Sequence, residues 1–264
     1  MVHSLIPVSA VVLAKNAEVT IGKVVSALHP VVGEVLVVVD DASTDATTDH
    51  AIRQGARVIH RPWKGFGNMR NWAQQQAQFD WILMIDADEI PDDQLLNSLR
   101  AQQWTDPHQV FWVNRLNYYI GVPMKCCGLY PDWKPRIYHR SIGRWTTHAV
   151  HELLEVPVKA RRIRLQGHLH HHFANSIDMH LSKARMYAQL RAYDWLSAGR
   201  TYSSWNTIGH AVRKFLTLYF LKGGWRWGWR GLAYCAIMGL DRLLRHLYLA
   251  AAKEASPKWE NKQA

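Results

Sequence analysis

Two short apolar runs in this chain each end on a group of carboxylates. Residues 35–39 (VLVVV) are followed by Asp40 and Asp41, and residues 81–85 (WILMI) are followed by the triplet DAD at 86–88. A run of about five large apolar residues without polar alternation is typical of a strand buried on both faces. Residues that follow such strands lie at the carboxyl edge of a parallel sheet, where open α/β sheets bind ligands. The sequence therefore predicts a ligand site at that edge.

The two acidic groups suit different ligands. Asp86 and Asp88 stand one residue apart on a bend, so both carboxylates can approach one divalent cation, which prefers oxygen ligands. Such a cation would bridge the phosphates of a nucleotide and stabilise a departing diphosphate. Asp41 instead suits hydrogen bonds from a base or from ribose hydroxyls. The alternative for the triplet is a solvated acid pair at a helix start, and Glu89 is interpreted as an acid in the first turn of that helix.

Strand and helix patterns alternate over the first 90 residues. Predicted strands cover residues 8–13, 35–39, 57–60 and 81–85, and predicted helices cover 19–28, 68–78 and a segment that ends near residue 54 after N-cap candidates at 43–45. This alternation predicts a parallel sheet with right-handed crossovers. Beyond Pro91 the pattern predicts a helix at 92–102, strands at 110–119, 134–139 and 165–173, and helices at 177–197, 211–222 and 232–252.

The positive charge of the chain is concentrated in its last part. Residues 1–158 contain 14 Lys and Arg against 16 Asp and Glu, whereas residues 159–264 contain 18 against 5, for a total net charge of +11. This contrast divides the chain into a first domain at 1–158 and a basic, mainly helical extension at 159–264. Residues 222–230 place a tryptophan at every second position from 225, with arginine between. That pattern favours contact with anionic lipid headgroups, and helix packing is the alternative.

Composition also limits the compartment. The three cysteines have no spacing typical of a metal site or a disulfide framework, which favours a reducing compartment. No signal peptide is predicted, and no apolar run approaches the roughly 20 residues that a spanning helix needs. We therefore expect a cytoplasmic protein that binds peripherally to the cytoplasmic face of the inner membrane.

Four short segments carry a resemblance to a known family. Residues 10–16 (AVVLAKN), 37–45 (VVVDDASTD), 67–71 (GNMRN) and 83–88 (LMIDAD) resemble, in order and spacing, the inverting family 2 glycosyltransferases of GT-A fold. The resemblance covers roughly residues 5–155. It implies an α/β GT-A domain, Rossmann-like, with a mostly parallel sheet and flanking helices, to which the basic helical C-terminal extension is added.

The resemblance also implies roles for individual residues. Asp41 would hold the base of a UDP-sugar donor, with Arg70 near it and Asn16 in the same donor-binding set. Asp86 and Asp88 would hold Mg²⁺ or Mn²⁺ together with the sugar nucleotide. The implied activity is a metal-assisted hexosyl transfer with inversion at the anomeric carbon.

Inverting transfer requires a base that accepts the proton of the attacking hydroxyl. Related enzymes use a carboxylate beyond the metal-binding acids, which implies Glu152 as the first candidate. Asp132 is the second candidate, and a turn acid between Pro131 and Trp133 is its alternative interpretation. The choice between Glu152 and Asp132 stays open at this point.

Four histidines occur within residues 168–172 (HLHHH). In a strand, His168, His170 and His172 would share one face. Enzymes of GT-A fold often supply a late histidine to the metal, so His170 and His172 are predicted as metal ligands. Which histidine takes this role stays open, and packing beneath the C-terminal helices is the alternative.

Later segments resemble one bacterial branch of the family. Residues 130–133 (YPDW), 136–140 (RIYHR), 143–145 (GRW) and 150–152 (VHE) resemble the branch that builds the inner core of lipopolysaccharide. This implies β-glucosyl transfer from UDP-glucose to a core heptose, with lipid-linked saccharide and an anionic membrane surface as partners. A polyprenyl-phosphate glycosyltransferase, a carbohydrate-binding relative without activity and a basic nucleic-acid-binding protein are the alternatives. The carboxylate clusters disfavour nucleic acid as a partner, because a phosphate backbone avoids them without a metal.

Overall fold

The structure is a computed structural model that describes residues 4–147, 153–199 and 204–255, without the side chains of 204–206 and 255. It forms two compact units. The first consists of Met1–Leu116 with Pro131–His172, and the second of Asn117–Tyr130 with Phe173–Ala264. Statements on each unit concern the residues that the structure describes.

The first unit opens with four parallel strands joined by helices. The strands are β1 (Ile6–Ala14), β2 (Val32–Asp40), β3 (Arg57–Arg61) and β4 (Trp81–Asp86), and the connecting helices are α1 (Glu18–Leu28), α2 (Thr47–Arg53) and α3 (Phe66–Gln76). Their order in the sheet is β3-β2-β1-β4, and the neighbouring pairs are parallel. The predicted βαβ alternation is confirmed.

Antiparallel strands extend this sheet. Between β4 and Ala174 the described residues form seven more strands and one helix. They are β5 (Glu89–Pro91), α4 (Asp93–Arg100), β6 (Gln109–Tyr119), β7 (Val122–Pro123), β8 (Trp133–His139), β9 (Arg144–Trp145), β10 (Leu154–Glu155) and β11 (Arg161–Ala174). The sheet continues from β4 in the order β8-β6-β11-β5. β8 runs antiparallel to β4 and β6, and β11 runs antiparallel to β5. The sheet is therefore mixed, with flanking helices, and the predicted GT-A-like α/β class is confirmed.

The first strands lack polar alternation because both of their faces are covered. Val8, Ala10 and Val12 pack in one apolar cluster with α1, whereas Val11 and Leu13 pack in a second cluster with residues of α3. Successive side chains of a strand point to opposite faces, so two apolar layers require an unbroken apolar run. Burial of the strands leaves their carboxyl ends as the place where polar side chains emerge.

The second unit is mainly helical. It contains α5 (Ile177–Ser197), α6 (Ser204–Leu216), a π-helical turn at Thr217–Leu221, a 3₁₀ turn at Gly224–Trp227 and α7 (Gly228–Ala255). Its buried cluster includes all three cysteines, which are free thiols. No helix within the described ranges is both long enough and apolar enough to cross a membrane.

Candidate active site

The register of the parallel strands brings the predicted polar residues to one edge. Leu13 of β1 lies opposite Asp86 of β4, and Ala14 lies opposite Val39 of β2. The residues after β1, β2 and β4, which include Asn16 and Asp41, therefore follow three neighbouring strands at their carboxyl ends. The predicted grouping of these strand ends at one edge agrees with the observed strand order.

Asp86 is the last residue of β4, and two arginines share its carboxylate. Its Oδ1 accepts a hydrogen bond of 2.9 Å from Arg70 Nη2, and its Oδ2 accepts one of 2.9 Å from Arg136 Nη2. Both arginines are buried. Burial alone would raise the pKa of Asp86, but the charges of Arg136 and Arg70 outweigh it and hold that pKa far below its usual range. Asp86 is therefore ionised at neutral pH, and each of its oxygens has a cationic partner.

Glu89 is a fully buried carboxylate at the start of β5. It accepts hydrogen bonds from Arg136, from Arg115 Nη1 at 3.3 Å and from the backbone N–H of Asp86 at 3.2 Å. The interpretation of Glu89 as an acid in a helical first turn was wrong, because the residue belongs to a strand. Its burial is compatible with a negative charge only because two guanidinium groups accompany it.

In the segment GNMRN at 67–71, Gly67, Arg70 and Asn71 have separate structural roles. A methyl group on Gly67 would lie 1.9 Å from the backbone oxygen of Thr146, so only glycine permits this approach of α3. Asn71 exchanges hydrogen bonds of 2.7 and 2.9 Å with the backbone of Trp145. Arg70 lies over the Trp145 ring, 4.5 Å from its centroid. The segment therefore fixes α3 in place and aims Arg70 at Asp86.

Asn16 connects the loops that follow β1 and β2. Its φ of +47° is a left-handed conformation that asparagine tolerates better than most residues. Its side-chain Oδ1 accepts a hydrogen bond of 2.9 Å from the N–H of Thr44, and its own N–H donates to Ser43 Oγ at 2.9 Å. The side chain of Asn16 therefore shapes the loop that follows Asp41.

The adjacent acids Asp40 and Asp41 have opposite environments. Asp40 is buried, and Lys15 Nζ lies 2.8 Å from its Oδ2. The hydrogen bond from Lys15 lowers the pKa of Asp40. The side chain of Asp41 is exposed. Of this pair, only Asp41 is open to a ligand from solution.

His171 lies beside Asp88. Its Nε2 is 3.5 Å from Asp88 Oδ2, because β11 pairs with β5 in a register that sets His171 opposite Glu89. His170 and His168 instead approach Asp92, at 3.7 and 3.3 Å. His171 is therefore a histidine beside Asp88, and Asp92 is a neighbour of the other two.

His172, the second histidine predicted as a ligand, is partly buried. Burial lowers its pKa, as do the nearby His170 and His171, while Asp88 acts in the opposite direction. Its imidazole is therefore neutral at pH 7. His172 stays a predicted metal ligand.

The side chains at this edge fit a divalent cation only if a bound substrate supplies further oxygen ligands. Among residues 4–147, 153–199 and 204–255, no group of three or more His, Cys, Asp and Glu side chains is arranged to hold a metal ion. Asp86 has an arginine on each oxygen, whereas Asp88 and His171 present a carboxylate and an imidazole side by side. Mg²⁺ is usually held by one or two carboxylates together with phosphates and water. Asp88 and His171 fit such a cation if a diphosphate completes its coordination.

Of the two candidate bases, Asp132 lies within the described residues and Glu152 lies outside them. Asp132 Oδ2 accepts a hydrogen bond of 2.8 Å from Arg115 Nε, and Lys134 Nζ lies 3.0 Å from Oδ1. Burial raises the pKa of Asp132, but the charges of Arg115 and Lys134 outweigh it and the pKa is lowered. A carboxylate stabilised in this way is a weak proton acceptor.

Arg115, Arg136, Glu89 and His171 were not among the residues predicted for the site. A signal for Arg115 was present, since it interrupts the largely apolar pattern of β6. Arg136 lies in the more polar pattern of β8, and its burial was not predictable from it. The histidine run at 168–172 indicated the region of His171 without selecting it, and no sequence signal identified Glu89, because both positions depend on how β5 and β11 pair.

Known glycosyltransferases are similar to this chain over most of its length. An uncharacterized glycosyltransferase of Rickettsia typhi (strain ATCC VR-144 / Wilmington) is 28% identical, over 96% of this chain and 89% of the relative. The lipopolysaccharide core biosynthesis glycosyltransferase LpsC of Rhizobium meliloti (strain 1021) is 29% identical, over 86% of this chain and 85% of LpsC. The crystal structure of S. aureus TarS 1-349 in complex with UDP-GlcNAc aligns with a TM-score of 0.45 and 16% identity, over 95% of this chain and 91% of that chain.

The sequence profile of the family described as Glycosyl transferase family 2 matches residues 9–152. The matched segment contains the strand ends at Asn16, Asp41 and Asp86 and both candidate bases, and it ends before the histidines of β11. Because the match covers more than half of the 264 residues, the chain belongs to glycosyl transferase family 2.

Proposed function

We propose that this glycosyltransferase moves a sugar, glucose being the first choice, from a UDP-sugar to the heptose region of the lipopolysaccharide core, with inversion. The observation that carries the proposal is the grouping of Asn16, Asp41 and the 86–88 triplet at the carboxyl ends of three neighbouring strands. The similarity to LpsC, whose name refers to lipopolysaccharide core biosynthesis, supports the acceptor class.

The donor would lie along this edge with its nucleoside toward Asp41. The exposed carboxylate of Asp41 accepts hydrogen bonds from the base or ribose, and the loop held by Asn16 positions it. Arg70 and Arg136 keep Asp86 charged and oriented toward the same end of β4. These residues bind and orient the donor without taking part in bond making.

Asp88 and His171 would hold Mg²⁺ or Mn²⁺ together with the diphosphate. A divalent cation supplies charge stabilisation to the departing UDP. The role of the protein would be to present one carboxylate and one imidazole to the diphosphate. This proposal adds His171, whose Nε2 lies 3.5 Å from Asp88 Oδ2, to the predicted ligands His170 and His172.

In the transfer itself, an acceptor hydroxyl attacks the anomeric carbon as the bond to UDP breaks on the opposite face. Glu152 is the first choice for the base that takes the hydroxyl proton. The contacts of Asp132 support this order, because two cations already stabilise its ionised form. We assign Asp132 to the orientation of Arg115, which also contacts Glu89.

The acceptor is proposed to be lipid-linked, and the protein to bind peripherally at the cytoplasmic face of the inner membrane. The net charge of +13 on residues 159–264 supports contact with anionic lipid. Nucleic acid is not a proposed partner, because the exposed acids at the strand edge would repel a phosphate backbone.

The test is release of UDP from a panel of UDP-sugars, with deacylated core oligosaccharides of defined truncation, in the presence and absence of Mn²⁺. We expect turnover with UDP-glucose, a requirement for the heptose-containing acceptor and a loss of about 10² in kcat/KM for Asp88→Asn. Asp93→Asn, which changes an exposed acid in the first turn of α4, is the matched control and should retain activity.

Two outcomes would overturn the proposal. Turnover without heptose but with a polyprenyl phosphate would identify the alternative acceptor class, which needs no base and would tolerate Glu152→Gln. Full activity of Asp88→Asn without added metal would contradict the role assigned to Asp88.

A further inference from the structure

Within its described side chains, helix α6 of the second unit has two apolar faces, one that is packed and one that is largely exposed. A methyl group on Gly239 of α7 would lie 3.2 Å from the backbone oxygen of Ala211 and 3.5 Å from Phe215 Cβ, so this face of α6 lies against α7. The other face carries apolar side chains that are 44–67% exposed, namely Ile208, Val212 and Leu216. Their spacing of four residues aligns them in one stripe along the helix.

The stripe continues beyond the end of α6. In the π-helical turn Thr217–Leu221, Phe220 is 60% and Leu221 is 83% exposed, while Leu218 is buried. Two consecutive apolar side chains of this turn are therefore at the surface. The following 3₁₀ turn packs on this segment, since a methyl group on Gly224 would lie 3.0 Å from the backbone oxygen of Leu218.

Half-exposed tryptophans with stacked arginines follow the stripe. The Arg226 guanidinium lies 5.2 Å from the ring centroid of Trp225, and the Arg230 guanidinium lies 4.7 Å from that of Trp229. Trp227, which the sequence pattern grouped with these rings, packs instead against the buried cluster of the unit. Two of the three tryptophans therefore remain available at the surface.

The chain segment that carries these side chains has charges of one sign. Between Asp194 and Asp241 the sequence contains six Lys and Arg residues and no Asp or Glu. A second copy of this chain would bring the same cations against each other. A nucleic acid would not bind a stripe of aliphatic side chains. An anionic bilayer satisfies both features, because its phosphates pair with the cations and its acyl boundary takes up the apolar side chains.

We infer that Ile208, Val212, Leu216, Phe220, Leu221 and Trp225 form a membrane-docking face that lies in the interfacial plane of an anionic bilayer. Arg226 and Arg230 meet the lipid phosphates, and Trp225 and Trp229 lie at the depth of the headgroups. The inference rests on the proposed function only in that the acceptor is then located in the same membrane. Lipid binding itself requires no turnover.

The experiment is flotation of the full-length protein with vesicles. We expect binding to vesicles of phosphatidylglycerol and phosphatidylethanolamine, and binding to phosphatidylcholine vesicles that is weaker by about tenfold or more. The double variant Phe220→Ser/Leu221→Ser should lose about tenfold or more in affinity for the anionic vesicles. Ile52→Ser, which removes a side chain of similar exposure (55%) from α2 of the first unit, should bind like the unchanged protein.

Three results would overturn the inference: no flotation with anionic vesicles, equal binding to both vesicle types, or a dimer in sedimentation that the double variant dissociates. The last result would identify a second copy as the occupant.

UDP release measured with a deacylated, water-soluble acceptor separates this inference from the proposed function. We expect the double variant to retain activity with that acceptor and to lose it with the same acceptor in vesicles. Absence of turnover by the unchanged protein would contradict the proposed function and leave the vesicle result valid.

Discussion

Arg136 lies between two carboxylates of the first unit and contacts both of them. Its Nη2 donates to Asp86 and to Glu89, and together with Arg70 and Arg115 it compensates charges that burial would otherwise penalise. Arg115 continues the same network from Glu89 to Asp132. The orientation of Asp86 therefore depends on Arg136 of the antiparallel strand β8 as well as on Arg70 of α3, and Arg136 lies outside the donor-binding segments.

Replacement of Arg136 tests this dependence. We expect Arg136→Met to lower the free energy of unfolding by about 3–5 kcal/mol, because Glu89 would keep a buried charge with one guanidinium partner fewer. Arg144→Met, at an exposed position in β9, should change it by less than about 0.5 kcal/mol. Urea unfolding followed by circular dichroism measures both variants.

A second variant separates charge from packing. The double variant Arg136→Met/Glu89→Gln should recover part of the lost stability, because the uncompensated charge has been removed. Equal stability of Arg136→Met and Arg144→Met would contradict the buried network.

His180 is a buried histidine of the second unit that stays neutral. Its ring stacks on Tyr234 with centroids 5.4 Å apart, its Nδ1 lies 3.1 Å from the Tyr119 hydroxyl oxygen, and burial lowers its pKa to about 4. In the unfolded chain the same side chain titrates near 6.5. The folded state therefore has its full stability above pH 6.5 and loses stability as the pH falls toward 4, because the unfolded state binds the proton first.

The size of this effect follows from the pKa difference. We expect a loss of about 3 kcal/mol between pH 6.5 and 4 from this residue alone. The free energy of unfolding of His180→Gln should decrease less over this pH range. That of His29→Gln, at an exposed position, should decrease as in the unchanged protein. Unfolding free energies measured across this pH range would contradict the prediction if both variants had the same slope.

At the scale of elements, the approach of β11 to α4 decides where the histidines lie. Gly167 has a φ of +90°, and a methyl group there would lie 2.1 Å from the N–H nitrogen of Leu95 and 2.5 Å from Asp92 Oδ1. Asp92 is the N-cap of α4, since its Oδ1 accepts a hydrogen bond of 2.8 Å from Leu95. β11 therefore passes over the capped end of α4 at a distance that only glycine permits.

Gly167→Ala should consequently destabilise the protein by about 3 kcal/mol, from the left-handed backbone and the overlap together. Gly199→Ala is the matched control, because Gly199 also has a positive φ of +66° but has no heavy atom within 4 Å of the added methyl group. We expect the control to cost about 1 kcal/mol. Similar unfolding free energies for the two variants would show that the close approach does not contribute.

At the scale of the whole molecule, stability should report donor binding. A ligand that binds only the folded state adds about 2.7 kcal/mol at a concentration of 100 times its Kd. For a chain of this size that corresponds to a rise in Tm of roughly 5–10 °C. We expect a larger rise with UDP and Mn²⁺ together than with UDP alone, because Asp88 and His171 contribute only when the cation is present.

The Asp88→Asn variant should keep the rise seen with UDP alone and lose the additional rise with Mn²⁺. Asp93→Asn should keep both. Thermal unfolding monitored by tryptophan fluorescence measures these shifts. An additional rise with Mn²⁺ that persists in Asp88→Asn would place the cation elsewhere.

Much of the fold was predictable because its signals are local. β2 and β4 each contain an unbroken apolar run, and the acids at their carboxyl ends follow from the sequence alone. The antiparallel half was predicted as strands, but its pairing was not, because pairing joins residues far apart in the chain. The same reason explains why Glu89 was misinterpreted: its partners Arg115 and Arg136 lie 26 and 47 residues away.

The amino-acid sequence by itself determined which strands are buried and which side chains stand at their carboxyl ends, since both depend on neighbours along the chain. Tertiary structure alone decided which charges meet and which histidine faces Asp88. In a strand, a shift of one residue moves every side chain to the other face. The register of β11 on β5 therefore brings His171 beside Asp88, and no local pattern contains that register.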